Sequence, residues 1–265
     1  MLRRHVLALP LLALWLAGCA SALPQVPTEA RAALAPTGTL RVGVYPGSPT
    51  SMVRGPGADE MRGLSVDLGH ALAQRLGVPV QFVVFERVAE VIDALKAGRA
   101  DMTITNATPA RAQVLDFSAP LLSLELGYLV LPASQVAAIE MVDRAGIRVG
   151  VSQGSTSQGS LSQQLKQATV VPAPSLAAAA KMLGAGEIDA FATNKAILFE
   201  MADTLPGARV LPGRWGLENL AIAVPKGRQA GLPLLQQFAD DMRRDGSVQR
   251  ATQRAGLRGH AAALD

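Results

Sequence analysis

Apolar positions along the chain fall into short extended runs that alternate with helical stripes. Residues 40–45, 80–85 and 102–105 are compact apolar runs bounded by turn formers, which predicts strands. Between them, Leu68, Ala71, Leu72 and Leu76 recur at helical spacing and stop at Gly77 and Pro79. Val88, Val91, Ile92 and Leu95 repeat the pattern and stop at Gly98, so both stretches predict amphipathic helices. A Gly/Pro/Ser-rich loop over residues 46–63 joins the first strand to the first helix. After residue 105 a polar turn leads into Thr108-Pro109-Ala110-Arg111, a short helix start with Thr as N-cap and Pro at the first helical position.

An extended run over residues 121–131 breaks the alternation, which begins again at residues 147–151. There follow the loop Ser152-Gln153-Gly154-Ser155-Thr156-Ser157, a helix around Leu161 and Leu165, and a strand at 169–171. A helix capped by Ser175 turns Leu176, Ala179, Ala180 and Leu183 inward. A strand at 188–192 then meets a helix opened by Asn194 and continued through Ile197, Leu198 and Met201. Residues 209–211 are extended, and 213–218 form a connector with Trp215. Residues 220–224 are a strand, and the chain closes on helices carrying Leu232, Leu235, Phe238 and Met242, then residues 247–254.

Strand–helix–strand order without hairpin turns implies an α/β fold with parallel sheets and right-handed crossovers. The second cycle is bracketed by two extended connectors, near 121–132 and 211–218. That bracketing predicts a second lobe inserted into a discontinuous first one. No internal repeat is read. The expected layout is a leader at 1–19, a flexible Ala/Pro-rich tether at 20–37, lobe 1 at 38–128 and 217–265, and lobe 2 at 129–216.

The leader reading comes from Arg3 and Arg4 followed by an apolar run over residues 6–16, too short to span a bilayer. It ends in Leu16-Ala17-Gly18-Cys19, which looks like the lipobox of a bacterial lipoprotein, with Cys19 lipidated and first in the mature chain. Ala20 in place of Asp resembles an outer-membrane sorting signal. The expected location is therefore periplasmic, on a lipid anchor.

Composition narrows the function classes. A chain that is 49% hydrophobic and 17% charged is not disordered. The formal net charge of +4 falls to +2 without Arg3 and Arg4. The basic residues are scattered and aromatics are few, which argues against nucleic-acid binding. A single Cys excludes a disulfide framework and a Cys-based metal site. His5, His70 and His260 are far apart in sequence, so no His cluster for metal or triad chemistry is expected. No cofactor is expected.

The richest candidate chemistry lies at Thr108–Arg111. A cation in the first turn of a helix opposes the helix dipole. Backbone N–H groups, a Thr hydroxyl and an Arg fork together suit a carboxylate or phosphate. The spacing also fits a surface Arg lying over its own helix, and it does not decide between the two.

The ordered motifs resemble the type 3 extracellular solute-binding proteins, the polar amino-acid receptors of ABC importers. The carriers are Leu40-Arg41-Val42-Gly43-Val44, Gly63-Leu64-Ser65-Val66-Asp67-Leu68 and Leu95-Lys96-Ala97-Gly98-Arg99-Ala100-Asp101. They continue with Thr108-Pro109-Ala110-Arg111, Asp116-Phe117-Ser118-Ala119-Pro120, Val149-Gly150-Val151-Ser152-Gln153-Gly154-Ser155 and Gly186-Glu187-Ile188-Asp189-Ala190. The resemblance covers roughly residues 38–255. It implies a periplasmic-binding-protein-like type II fold, two α/β lobes joined by two crossing strands that close on a solute.

The same resemblance implies that Arg111 grips the solute carboxylate, with Asn106 and Thr108 beside it. Ser155 and Thr156 would offer donors from the facing lobe. Where the family usually has a carboxylate for the solute's amino group, this chain has Asn194. Where the family stacks an aromatic, it has Ser48-Pro49-Thr50, with Tyr45 displaced and Ser48 a candidate solute contact; together these departures argue against a standard polar amino acid and leave the solute open. Glu125 or the Asp59-Glu60 pair is a candidate replacement for the lost anion. The implied function is a monomeric, non-catalytic receptor handing a small carboxylate-bearing solute to an inner-membrane ABC permease. A clamshell sensor and a dehydratase-like enzyme on the same scaffold are the alternatives.

Overall fold

The computed structural model describes residues 26–55, 57 and 60–261. The leader, Cys19, Ala20 and Asp59 lie outside the described residues.

The first helix, α1 (Thr28–Leu34), falls inside the expected tether. Ala30, Leu34 and Ala35 are buried in the first lobe's core. Leu34 occupies the space that a side chain at Gly231 would fill, 2.6 Å from a Cβ placed there. The stretch 28–35 is therefore docked, because one well-fitted Leu and two small Ala anchor a segment whose composition reads as linker.

β1 (Leu40–Val44) leads to a short hairpin, β2 (Val53–Arg54) and β3 (Met61–Arg62), inside the stretch expected to be loop. Next come α2 (Leu64–Leu76), β4 (Val80–Val84), α3 (Val88–Lys96), β5 (Thr103–Asn106), α4 (Pro109–Ala112) and β6 (Leu115–Phe117). α2 ends where Gly77 takes φ 65°, the left-handed value that a Gly cap supplies without a Cβ clash. The first crossing strand is β7 (Leu122–Val130).

The second lobe holds β8 (Arg148–Ser152), α5 (Thr156–Gln164), β9 (Thr169–Ala173), α6 (Leu176–Gly184), β10 (Ala190–Asn194), α7 (Lys195–Ala202) and β11 (Arg209–Val210). β12 (Gly216–Pro225) crosses back, and α8 (Leu232–Arg244) and α9 (Ser247–Arg254) complete the first lobe.

β1 pairs in parallel with β4, and β8 with β9 and β10. The sheets are not wholly parallel, as the alternation alone implied. β12 runs antiparallel to β5, β6 and β7, and β7 antiparallel to β10 and β11. The reason is the inserted lobe: a chain that leaves the first lobe on one strand and returns on another lays the two side by side in opposite directions. Trp215 packs against Tyr128 with centroids 6.2 Å apart and donates from Nε1 to the Gly127 carbonyl at 3.0 Å, tying the crossing segments together.

Side-chain pairing shows an internal repeat that the hydrophobic pattern along the chain does not. Arg41 bonds to Asp101 at 2.8 Å, and Arg148 to Asp189 at 2.9 Å. Each pair joins the first strand of a lobe, Arg-Val-Gly-Val in both, to the Asp of a Gly-x-x-Asp turn. The intervening residues are too diverged for the repeat to stand out along the chain.

Candidate functional site

The lobes meet over a cleft lined from the first lobe by Tyr45, Thr50, Thr105, Asn106 and Arg111. The second lobe contributes Ser152, Ser155, Thr156, Thr193 and Asn194, and the second crossing strand contributes Glu218. The cleft is closed: Asn106 Nδ2 lies 3.5 Å from Thr156 Oγ1, and Arg87 Nη1 donates to the Pro174 carbonyl at 3.3 Å. A larger groove of about 450 Å³ lies behind the hinge, between Leu122, Arg243, Thr252 and His260. That groove carries Arg243 and His260 but no acidic side chain, whereas the cleft brings Arg111 and Glu218 together from different elements, and that convergence locates the candidate site.

Thr108 caps α4, accepting from the Arg111 N–H at 3.2 Å. Its hydroxyl is engaged in the cap and does not line the cavity, which corrects its expected place at the solute. Arg111 is swung back onto β5, where Nη1 donates to Thr105 Oγ1 and, at 3.3 Å, to the Asn106 carbonyl. Nε and Nη2 make no hydrogen bond among the described residues, leaving the fork open to a bidentate partner. Burial lowers the Arg111 pKa, while the nearby Glu218 and Tyr45 raise it; the guanidinium stays charged at any physiological pH.

Asn106 bridges elements. Its Oδ1 accepts from the Asn219 N–H at 3.1 Å, while Nδ2 faces Thr156 of the other lobe. Ser155 caps α5 by accepting from the Gln158 N–H at 3.1 Å, and Thr156 opens the helix. These neutral donors and acceptors face Arg111 across the cleft.

Two expected residues stand elsewhere. Glu125 bonds to Lys195 at 2.6 Å and to Arg214 at 3.3 Å, and it does not line the cleft. Lys195 chiefly holds its carboxyl below the usual range. Alternation along β7 turns Glu125 away from the face that carries Leu124 and Leu126. Ser48 is fully buried behind Thr50, to whose hydroxyl it bonds at 2.8 Å. Thr50 and Tyr45 line the cavity instead. Burial raises the Tyr45 pKa, so the phenol stays protonated. Glu60 lies exposed by the β2–β3 hairpin.

Asn194 is buried and doubly engaged. Its Oδ1 accepts from the Ile197 N–H at 3.1 Å as the cap of α7, and its Nδ2 donates to Glu218 Oε1 at 2.7 Å. The two contacts fix the amide's orientation. The partner is Glu218, which the sequence pattern places in the 213–218 connector and not at the site. It is 7% exposed. Desolvation raises its pKa to about 7, against the opposing pull of Arg111 and the Asn194 hydrogen bond. Strand register explains the meeting. Glu218 pairs with Leu124 and Asn194 with Leu126, two positions apart on β7, so both side chains share one face.

No group of three or more His, Cys, Asp or Glu side chains placed to hold a metal occurs among the described residues. No helix among them is long and apolar enough to cross a membrane.

The family described as bacterial extracellular solute-binding proteins, family 3, matches residues 40–256. The chain is 26% identical over 199 residues to the amino-acid-binding protein AabA of Dichelobacter nodosus, covering 72% of this chain and 78% of that protein. It is 26% identical over 198 residues to the ABC transporter glutamine-binding protein GlnH of Bacillus subtilis, covering 73% and 72%. A similar solved structure is the ancestral amino acid-binding protein AncCDT-1, a precursor of cyclohexadienyl dehydratase. It is 26% identical with a TM-score of 0.71, covering 82% of this chain and 95% of that one.

Proposed function

Because the chain belongs to the bacterial extracellular solute-binding proteins, family 3, we propose that it is a receptor that closes on a small carboxylate-bearing solute and delivers it to an ABC importer. The solute is an amino acid or a related organic acid. The observation that carries this reading is the open fork of Arg111, held by Thr105 and Asn106 and facing the α5 N-terminal loop across a closed cleft. A carboxylate on Arg111 completes the fork, and the Ser155–Thr156 loop reaches it only when the lobes meet. Binding and closure are then one event.

Arg111→Ala is expected to weaken solute binding by about 2–5 kcal/mol, the usual cost of removing one partner of a buried charge pair. The fold should survive, because Arg111 belongs to no ion pair among the described residues. Calorimetric titration with the solute found by screening the wild type checks this, and wild-type affinity in the variant would refute the site.

The receptor reading takes the protein as a binder rather than an enzyme, and turnover of a prephenate-like acid by the purified protein would overturn that. Cys19 serves as the lipid attachment and Ala20 directs the chain to the outer membrane. The mass of the mature N-terminus and membrane fractionation test both.

A further inference from the structure

We propose that Glu218, reaching in from the second crossing strand, recognises a cationic nitrogen of the solute in place of the residue at position 194. The solute is thereby a zwitterion, its carboxylate on Arg111 and its ammonium on Glu218. This rests on the receptor reading above and specifies its solute.

The site holds two oppositely charged side chains, Glu218 buried and Arg111 half-buried, that are not paired with each other. Arg111 and Glu218 both line the cavity, yet neither forms an ion pair within 4 Å among the described residues. They are still close enough for each to shift the other's proton affinity. Two charges held near each other but short of contact are each left incompletely compensated, which is costly. A molecule with a negative end and a positive end bridges the gap and compensates both. A simple carboxylate satisfies Arg111 and leaves Glu218 without a cation.

Asn194 supports this assignment because it cannot do the job itself. Its oxygen is held by the α7 cap, and its nitrogen by Glu218 Oε1. The amide therefore acts as a positioning residue. It clamps one carboxylate oxygen, while Oε2 makes no hydrogen bond among the described residues. The charged and titratable groups around Glu218 are few. Arg111 faces it from α4 and Tyr45 from the residue after β1, while Lys195 at the start of α7 is drawn onto Glu125. No other described cation near Glu218 competes for the carboxylate.

Zwitterion binding then carries a proton signature. The Glu218 carboxyl titrates at about 7, and an ammonium binds its ionised form. Affinity should rise about tenfold between about pH 6 and about pH 8, with proton release. A solute lacking the ammonium should show no such gain.

The test is calorimetric titration of the mature protein with the protein amino acids and with matched des-amino acids, such as glutamine against glutaramate and arginine against δ-guanidinovalerate. The expected result is that at least one amino acid binds, its des-amino partner binds at least about a hundredfold more weakly, and wild-type affinity rises with pH. Glu218→Gln should lose the affinity and the pH dependence while keeping the Asn194 contact. Adding Asn194→Asp to that variant should restore part of the affinity, which separates lost recognition from lost folding. Equal binding of a des-amino acid, or wild-type affinity and pH profile in Glu218→Gln, would overturn the proposal. If des-amino acids bind through Arg111, the receptor reading stands and only the zwitterion assignment falls. If no carboxylate of either kind binds, both fall.

Discussion

A carboxylate buried beside an amide acts on stability as well as on binding. The Glu218 pKa is raised from 4.5 to about 7 by desolvation. A carboxyl whose folded pKa lies above its unfolded value favours folding fully only below the unfolded value. That contribution is lost as pH rises through the folded one. From the size of the shift, ionised Glu218 costs the empty protein about 3 kcal/mol above neutral pH. Glu218→Gln is neutral throughout and keeps the acceptor for Asn194. It should be more stable than wild type by up to about 3 kcal/mol near pH 8 and nearly equal near pH 4, read from urea unfolding without solute. Arg111 was legible because its motif is local: a cap, a Pro and an Arg within four residues. Glu218 was not. Residues 220–224 are buried on both faces, so they offer no alternation from which to phase the strand. Leu217 beside it looks like the inward residue, yet it is exposed and Glu218 is buried. Counting back by twos from Leu220 is the signal that would have found it.

At the scale of elements, the loop between β8 and α5 forms the second lobe's jaw. Gly154 takes φ +72°, and a Cβ there would lie 2.6 Å from the Cβ of Ala89 on α3 of the other lobe. Gly154→Ala therefore carries a left-handed backbone cost of about 1–2 kcal/mol in any state and a steric clash only when the cleft is shut. The expected outcome is a shift towards open lobes, with a larger radius of gyration in small-angle scattering and weaker solute binding. Unchanged scattering would show that the jaw has room to give. Helices α2 and α3 were readable because each gathers its apolar residues on one stripe that packs inward, α2 into the first lobe's main core and α3 into two smaller clusters. The hairpin β2–β3 was hidden in a loop-like composition, and α1 in a linker-like one, since both rest on docking rather than on local pattern.

Across the whole molecule the two lobes share one structural device with unequal stakes. Asp101 is fully buried and bonded to both Arg41 and Arg228, at 2.8 and 2.9 Å. Asp189 is partly exposed and bonded to Arg148. Removing a fully buried acid between two arginines leaves two half-buried cations uncompensated. Asp101→Ala should destabilise by about 3–5 kcal/mol. Asp189→Ala should cost no more than about 1–2 kcal/mol, because water reaches its partner. Chemical denaturation of the two variants side by side checks this, and equal losses would refute the ranking.

What the amino-acid sequence determined by itself was whatever neighbouring residues decide together. That covers most of the strand and helix order and the caps at Thr108, Ser175 and Asn194. It extends, through the ordered motifs, to the family. The tertiary structure alone decided which distant groups share the cleft. Glu218 and Asn194 are 24 residues apart in the chain. They meet because β10 and β12 flank β7 in a register that points both side chains to one face. A one-residue slip of β12 would turn Glu218 to the opposite face, so its role depends on strand pairing rather than on any local motif.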